Sequence, residues 1–350
     1  MATIENHKHG GDIYRHRNVL DFSANCNPFG TPDSVKKAAA EALENIVNYP
    51  DTECDELRKA ISEYEGVPVE YILCGNGAAD LVFSLALALH PETALLPAPT
   101  FAEYEQALST VNCTVGRFYL EEQKGFCPDE TILNQITDDL DILFICNPNN
   151  PTGVITEQDL LIKILEKCRE KHVFFVLDEC FVDFLDDPEG NTLKEILKDY
   201  DNLFLLKAFT KRYAMAGIRL GYGLCSNQKV LHSMKNVTQP WNVSIPAQAA
   251  GLAALKEEAY VKDAMEYLKK EKVFLKEKIG EAGYNTYGSQ ANYVFFKGPD
   301  DLYDYCLDRN IMIRNCGNYE GLEPGYYRVA VKLREENEKL IQCLKEYKGK

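Results

Sequence analysis

The sequence predicts an α/β protein, with a large domain built on a mostly parallel β-sheet flanked by helices and a smaller α+β domain beside it. Short apolar segments, too short for buried helices, alternate with segments in which apolar residues recur every three or four positions, as in residues 157–171. This alternation stops near residue 245, where a charged segment and then short alternating segments follow. Alternating strands and helices need crossover connections, which produce a parallel sheet, so the first pattern predicts the large domain and the second the smaller one.

Five apolar runs are the predicted strands of the large domain, because continuous apolar runs of this length are typical of strands buried on both faces. They are residues 93–97, 141–146, 173–177, 203–206 and 221–224. With the helices between them, they place the large domain at residues 45–245.

The remaining residues, 1–44 and 246–350, form the predicted small domain. Its C-terminal part contains a charged helix over about 260–282, short strands in NYVFF, IMIRN and YYRVAV, and a last helix from about residue 335. The N-terminal forty residues show no strand–helix unit of their own, so we expect them to pack on the C-terminal part.

Composition excludes several classes of function. The 350 residues are 45% hydrophobic and 26% charged, which is ordinary for a globular protein and excludes a disordered chain. The net charge of -16 would repel phosphate backbones, so we expect no nucleic-acid partner. No apolar run approaches the ~20 residues that span a bilayer, so we expect no membrane association and a cytoplasmic location. The 12 cysteines form no C-x-x-C pair and have no histidine at ligand spacing, which predicts reduced thiols and no metal site.

Polar residues follow the predicted strands at the ends where parallel strands place their ligands. Asn150, Asp178, Lys211 and Arg219 come after successive strands, and a glycine turn at Gly77 precedes the first helix of the sheet. Each alone has an ordinary structural explanation, as a turn, a helix cap or a solvated side chain. The ordered set is far less expected by chance, and it predicts one site at this edge of the sheet.

These residues lie in motifs that resemble the fold-type-I pyridoxal-phosphate enzymes of the aminotransferase class I/II branch. The motifs are NNPTG at 149–153, DE at 178–179, TK at 210–211 and AGIRLGY at 216–222. The resemblance implies a pyridoxal 5′-phosphate cofactor, with Asp178 beside the ring nitrogen, Lys211 as the lysine that binds the cofactor aldehyde covalently, Asn150 at the ring 3-oxygen and Phe101 stacked on the ring. A carboxylate is needed there because the ring withdraws electrons well only while its nitrogen is protonated.

The resemblance also implies where the cofactor phosphate is held. Its contacts would come from the start of a helix and from residues after the last strands: Gly77, Ala78, Ala79, Thr210 and Arg219. Relatives often carry serine where this chain has Ala208, so one hydroxyl contact is missing and we expect somewhat weaker cofactor retention. Tyr49 matches a tyrosine that reaches the phosphate across a dimer interface, which implies a homodimer with shared active sites.

Further motifs resemble the threonine-phosphate decarboxylases of cobalamin synthesis, which are close relatives of the histidinol-phosphate aminotransferases. They are HGG at 9–11, DFSANCNPFG at 21–30, FAEY at 101–104, QPWNVS at 239–244 and MIRNCGNYEGLEPGYYRVAV at 312–331. This resemblance implies that Arg328 binds the substrate carboxylate and that the substrate phosphate is held by His9, Gly10, Gly11, Asn25 and Arg314. Phe181 stands where histidinol-phosphate aminotransferases carry a tyrosine on the 3-oxygen, and Trp241 is either a wall of the site or a packing residue.

The leading hypothesis is therefore a lyase that converts O-phospho-L-threonine, or a close phospho-amino acid such as O-phosphoserine, to the aminoalcohol phosphate and CO2. The alternative is an aminotransferase of the histidinol-phosphate type that uses 2-oxoglutarate. A ligand-sensing domain of a transcription regulator is a third class, which we disfavour because this acidic chain has no spare ~60 residues for a DNA-binding segment.

Overall fold

The computed structural model describes residues 9–347. Within this range the strands form a large sheet, a smaller sheet and one isolated pair. In chain order the strands are β1 (Leu20–Asp21), β2 (Ile72–Gly75), β3 (Thr93–Ala98), β4 (Thr114–Tyr119), β5 (Ile142–Cys146), β6 (Phe174–Asp178), β7 (Leu203–Ala208), β8 (Gly221–Leu224), β9 (Asn285–Tyr287), β10 (Tyr293–Lys297), β11 (Ile311–Met312), β12 (Arg314–Asn315) and β13 (Tyr326–Ala330).

The large sheet has seven strands in the order β2-β8-β7-β6-β5-β3-β4. All neighbouring pairs are parallel except those of β8, which runs antiparallel to β2 and β7. This confirms the predicted α/β class with a mostly parallel sheet, and the five predicted strands correspond to β3, β5, β6, β7 and β8. The sequence analysis missed β2 and β4. β4 lies at the sheet edge, where exposed side chains alternate with partly or fully buried ones, so it forms no apolar run.

Helices cover both faces of this sheet. The α-helices are α1 (Asp33–Glu41), α2 (Asp55–Glu65), α3 (Ala78–Leu89), α4 (Glu103–Ser109), α5 (Gln158–Glu170), α6 (Phe209–Arg212), α7 (Gln228–Val237), α8 (Ile245–Ala254), α9 (Glu258–Glu281), α10 (Leu302–Leu307) and α11 (Arg334–Glu346). The helices predicted at 157–171, at 260–282 and from 335 correspond to α5, α9 and α11.

Side chains alternate between the two faces along each central strand. In β6, Val176 packs in the core cluster that contains α3, α4 and α7, whereas Phe175 and Leu177 pack in the cluster that contains α2, α5 and α8. The same alternation divides Leu205 and Leu206 of β7. The face of α3 and α4 is therefore the one onto which Asp178, two residues after Val176, projects.

The C-terminal residues form an antiparallel sheet in the order β12-β13-β10-β9, which shares a separate core cluster with α9 and α11. β1 pairs in parallel with β11, with Leu20 opposite Ile311. The N-terminal forty residues thus contain β1 and α1, which the sequence analysis did not predict, and α1 packs on α8. The domain boundaries at 44/45 and 245/246 stay a prediction, and residues 1–8 and 348–350 of the small domain lie outside the described residues.

The cysteines are free thiols. Within residues 9–347, no helix is long and apolar enough to cross a membrane. The same range holds no cluster of His, Cys, Asp and Glu side chains arranged to bind a metal ion.

Candidate active site

A cavity of about 470 Å³ lies at the carboxyl ends of β3, β5, β6 and β7, with β12 and β13 of the C-terminal sheet on its far side. Most of the predicted site residues line it: His9, Gly10, Asn25, Ala78, Ala79, Phe101, Asn150, Asp178, Phe181, Thr210, Lys211, Arg219, Arg314 and Arg328. Ala208 is also in the wall. The chain therefore brings residues from both ends of the sequence to one space.

Three predicted site residues, Gly11, Gly77 and Tyr49, are not in this wall. The N–H of Gly11 donates to Ser23 Oγ at 2.7 Å. Gly77 immediately precedes the wall residue Ala78 in the chain. Tyr49 is 75% exposed and stacks on Trp241, with 4.3 Å between the ring centroids, so Trp241 contacts Tyr49 rather than the cavity.

One end of the cavity is built to accept an anion. α3 begins at Ala78, and the first N–H groups of a helix have no partner within the helix. Gly77 precedes it with a φ of +84°, and a Cβ at Gly77 would collide with the Arg219 guanidinium. A Cβ at Gly221 would lie 2.6 Å from the Ala78 nitrogen. Glycine at these two positions therefore lets Arg219 and β8 approach the N-terminus of α3, where the helix dipole favours negative charge.

A buried carboxylate lies in the middle of the cavity wall. Asp178, at the end of β6, accepts hydrogen bonds from the Tyr104 hydroxyl and from the Cys180 N–H, the latter at 2.9 Å. Burial raises the pKa of the Asp178 carboxyl, although these hydrogen bonds act in the opposite direction. No Lys, Arg or His side chain within residues 9–347 forms an ion pair with it. The carboxylate thus lacks the cation that would stabilise its charged form.

Two lysines lie close together in the sequence, and the structure separates them. Lys211, in the short helix α6, lines the cavity. Lys207 lies in β7 between the two wall residues Leu206 and Ala208, so its side chain projects to the opposite face of the sheet. There its Nζ lies 2.8 Å from Oε2 of the buried Glu179. Lys211 is the lysine that a ligand in the cavity can reach.

Arg328 projects into the cavity from β13 and is held by three neighbours. Its guanidinium donates to the Ser23 carbonyl at 2.8 Å and to Oδ1 of Asn150. Nε and Nη1 also lie 3.2 and 3.3 Å from the side-chain oxygen of Asn25, once that amide is oriented to accept. Because Oδ1 of Asn150 accepts from Arg328, its Nδ2 is left to donate to a ligand. Asn25 lies beside Arg328, although the sequence analysis predicts it at the phosphate end.

Arg314 lies directly opposite Arg328 in the register between β12 and β13, so both guanidinium groups face the cavity. Its Nη2 donates to Oδ1 of Asn318 at 2.9 Å, and its guanidinium lies 5.1 Å from the ring centroid of Tyr319. At the same end, Nδ1 of His9 lies 3.1 Å from Oε1 of Glu103. The cavity therefore has a second cationic end, formed by β12 and the N-terminal segment.

The sequence analysis missed several wall residues. Ser23, Glu103 and Tyr319 line the cavity, and Tyr104 lies behind it as the donor to Asp178. Glu103 and Tyr104 belong to the FAEY segment at 101–104, in which the resemblance gave a role to Phe101 alone. Ser23 and Tyr319 also lie in motifs of the resemblance but were given no role, because only the fold brings them beside Arg328 and Asn150.

The residues present fit pyridoxal phosphate. Its phosphate is an anion, for which the N-terminus of α3 and Arg219 form a matching end. Its protonated ring nitrogen is the kind of cation that Asp178 lacks. Lys211 would supply a primary amine for the aldehyde, and Phe101 and Phe181, in the same wall, would supply apolar contacts to the ring.

Comparisons with known proteins agree with this fit. The family model described as aminotransferase class I and II matches residues 17–344. A threonine-phosphate decarboxylase from Salmonella typhimurium is 37% identical, over 97% of this chain and 96% of that protein.

Two solved structures are similar throughout. A histidinol-phosphate aminotransferase from Clostridium acetobutylicum has a TM-score of 0.87 and 33% identity, covering 93% of this chain and 98% of that one. An L-threonine-O-3-phosphate decarboxylase from Porphyromonas gingivalis has a TM-score of 0.81 and 25% identity, covering 92% and 97%. The chain therefore belongs to the aminotransferase class I and II family of fold-type-I enzymes, and its cofactor is pyridoxal 5′-phosphate.

Proposed function

We propose that this protein is a pyridoxal-phosphate-dependent lyase that converts O-phospho-L-threonine, or a close phospho-amino acid such as O-phosphoserine, to the aminoalcohol phosphate and CO2. One observation carries the proposal. Arg314 and Arg328 are both more than nine-tenths buried in the cavity, and neither forms an ion pair with a carboxylate within residues 9–347. In a chain with 54 acidic residues, two buried and unpaired guanidinium groups point to an anionic ligand.

The substrate's charges match this arrangement. A phospho-amino acid carries a carboxylate and a phosphate, so it presents one anion to each arginine. Arg328 binds the carboxylate through a charge-assisted contact, and Arg314 with His9 and the Gly10 backbone binds the phosphate. The relative named threonine-phosphate decarboxylase supports the same substrate class.

Cofactor contacts follow from the geometry at the other side of the cavity. Asp178 would keep the ring nitrogen protonated, Asn150 would donate to the 3-oxygen, and Phe101 and Phe181 would provide apolar contacts to the ring. When bound, pyridoxal phosphate supplies an electron sink for the bond that breaks at the substrate Cα.

Holding both ends of the substrate determines which bond breaks. A substrate held at both Arg328 and Arg314 has one orientation at Cα, and in the lyase this orientation would favour cleavage of the bond between Cα and the carboxylate. The carboxylate would leave as CO2, and Lys211, which lines the cavity, would then deliver a proton to Cα in its place.

A histidinol-phosphate-type aminotransferase that uses 2-oxoglutarate is the second candidate. The solved aminotransferase from Clostridium acetobutylicum favours it, because that enzyme is 33% identical over nearly the whole chain. The two candidates share the cofactor residues, so only the reaction separates them.

The first test is turnover without a keto acid. Incubation of the holoenzyme with O-phospho-L-threonine alone should release CO2 and the phosphorylated amino alcohol in equal amounts over many turnovers. Quantifying both products, with O-phosphoserine and histidinol phosphate run in parallel, checks the substrate. Turnover that requires 2-oxoglutarate and yields glutamate without CO2 would falsify the lyase and establish the aminotransferase.

The second test concerns the lysine. Borohydride reduction of the holoenzyme should attach the cofactor to the peptide that contains Lys211, as detected by peptide mass spectrometry. Lys207 is the internal comparison, since it lies four residues away but is paired with Glu179 on the other face of the sheet. A label on Lys207 would contradict the assignment.

The third test concerns the anion end at α3. Gly77→Ala should weaken cofactor binding by about tenfold or more, because the new Cβ displaces the Arg219 guanidinium that contributes a charge-assisted hydrogen bond of about 1.5–3 kcal/mol. Titration of the apoenzyme with pyridoxal phosphate, followed by absorbance, measures this change. Gly66→Ala is the matched control, because Gly66 also has a positive φ but has open space around its Cβ position. Equal cofactor affinity in both variants would contradict the role of Gly77 and Arg219.

We also propose a homodimer in which Tyr49 reaches the cofactor phosphate of the partner. Exposed large apolar side chains cluster near Tyr49 in the chain, and Trp241 stacks on its ring: the nearby residues are Leu43, Ile46 and Val47. A cluster of this kind on an otherwise acidic surface is typical of a protein interface.

Light scattering after size-exclusion chromatography should therefore give twice the chain mass of 39.6 kDa. Val47→Asp should shift the protein towards the monomer, because it places a charge at a position that is 89% exposed in the isolated chain. Val273→Asp is the control, since Val273 is exposed on α9 outside this cluster. A wild-type monomer at micromolar concentration would overturn the proposal.

A further inference from the structure

Glu103 is a carboxylate in the wall of a cavity whose proposed ligands are anions. It is the first residue of α4, the helix that follows β3, and its side chain is only 14% exposed. Within the described residues, its one ion pair is with His9. An acidic side chain at the phosphate end would repel the substrate unless its charge serves another group there.

His9 is that group. Its Nδ1 lies 3.1 Å from Glu103 Oε1, and the side chain is itself part of the cavity wall. The charged groups that act on the imidazole from the elements packed against it are Glu103 of α4 and Arg314 of β12. The hydrogen bond to Glu103 raises the pKa of His9 above its ordinary value of 6.5, whereas partial burial and Arg314 act in the opposite direction.

The backbone of the two residues after His9 is held by Ser23. A Cβ at Gly10 would collide with the Ser23 carbonyl, and the Gly11 N–H donates to Ser23 Oγ. Ser23 in turn donates through its hydroxyl to Asp21 of β1 at 2.6 Å. The segment from His9 to Gly11 is thus fixed to β1 at one end and to α4 at the other, and the His9–Glu103 pair is the contact with α4.

We propose that Glu103 is a positioning residue that holds His9 as a cation at the phosphate end of the cavity. Arg314 alone supplies one positive charge for a phosphate that carries nearly two negative charges at neutral pH. A cationic His9 supplies the second. Glu103 does not touch the substrate; it orients the imidazole through Nδ1 and leaves Nε2 to donate to a phosphate oxygen. The inference rests on the proposed function, because it assumes a phosphorylated substrate.

Phosphate binding should weaken as the pH rises. His9 is charged below its pKa, so the contribution of Glu103 to phosphate binding is lost as the pH rises through that pKa. Glu103→Gln keeps an acceptor for Nδ1 and removes the negative charge, so the loss should begin at a lower pH in this variant.

The experiment has two readouts on the holoenzyme. The first is the pKa of His9, measured by NMR with histidine labelled with ¹³C at Cε1 and assigned with His9→Gln. Glu103→Gln should lower this pKa by about half a unit to one unit, and inorganic phosphate should raise it in the wild type. The second is the kinetics with O-phospho-L-threonine between pH 6 and pH 9. At pH 8 the KM of Glu103→Gln should rise about two- to fivefold with kcat unchanged, and in the His9→Gln background the same substitution should have no further effect.

Glu105→Gln is the matched control, because Glu105 lies on the same helix and pairs with Arg117 instead of His9. An unchanged His9 pKa in Glu103→Gln, a lower KM at every pH, or an equal effect of the two glutamine variants would overturn the inference. If O-phospho-L-threonine is not turned over at all, the proposed lyase fails, whereas the His9 titration with inorganic phosphate still decides the role of Glu103.

Discussion

The ion pair between Lys207 and Glu179 is the interaction on which the site depends. It joins the ends of β6 and β7 on the face of the sheet that is turned away from the cavity, where both side chains are almost fully buried. Burial lowers the pKa of Lys207, but the carboxylates of Glu179 and Glu65 raise it by more, so the lysine stays charged. Thr192 and the N–H of Leu193 complete the hydrogen bonds of Glu179. Removing either partner would leave an unpaired charge in the sheet interior, at a cost of about 3–5 kcal/mol.

Side chains alternate between the two faces of the sheet, so the orientation of this ion pair also determines which neighbouring residues face the cavity. Because Glu179 and Lys207 face away from the cavity, their neighbours Asp178 and Ala208 face towards it. Lys211 lies in α6, which begins directly after β7, and lines the same cavity. A single register between β6 and β7, with Asp178 opposite Leu206, thus places Asp178 and Lys211 in the wall of one cavity.

Positive charge is concentrated in the cavity wall, where it can bind an anion. The chain has a net charge of -16, yet the cavity wall contains Arg219, Arg314, Arg328, Lys211 and His9. Most of these cations are held by neutral acceptors, such as the Ser23 carbonyl and Asn318, so their charge stays available to an anion. Glu103 is the exception, because its carboxylate pairs with His9, the one of these cations that titrates near neutral pH. The proposed role of Glu103, which is to keep His9 charged, accounts for this exception.

The sequence by itself determined the fold class, the five central strands and the residues that follow them, because buried parallel strands are continuous apolar runs and the ligand residues come directly after each run. The motifs around Asp178 and Lys211 are also short continuous segments of the chain, so the sequence indicated the family as well. Only the tertiary structure placed Ser23, Tyr319 and Glu103 in the wall, since each contacts a residue at least 94 positions away through long-range pairing. The tertiary structure also placed Asn25, which the sequence analysis assigns to the substrate phosphate, beside Arg328, because the pairing of β1 with β11 positions this segment. The sequence analysis did not predict edge strands such as β4, because their side chains are only half covered and the rest of the chain determines which residues cover them.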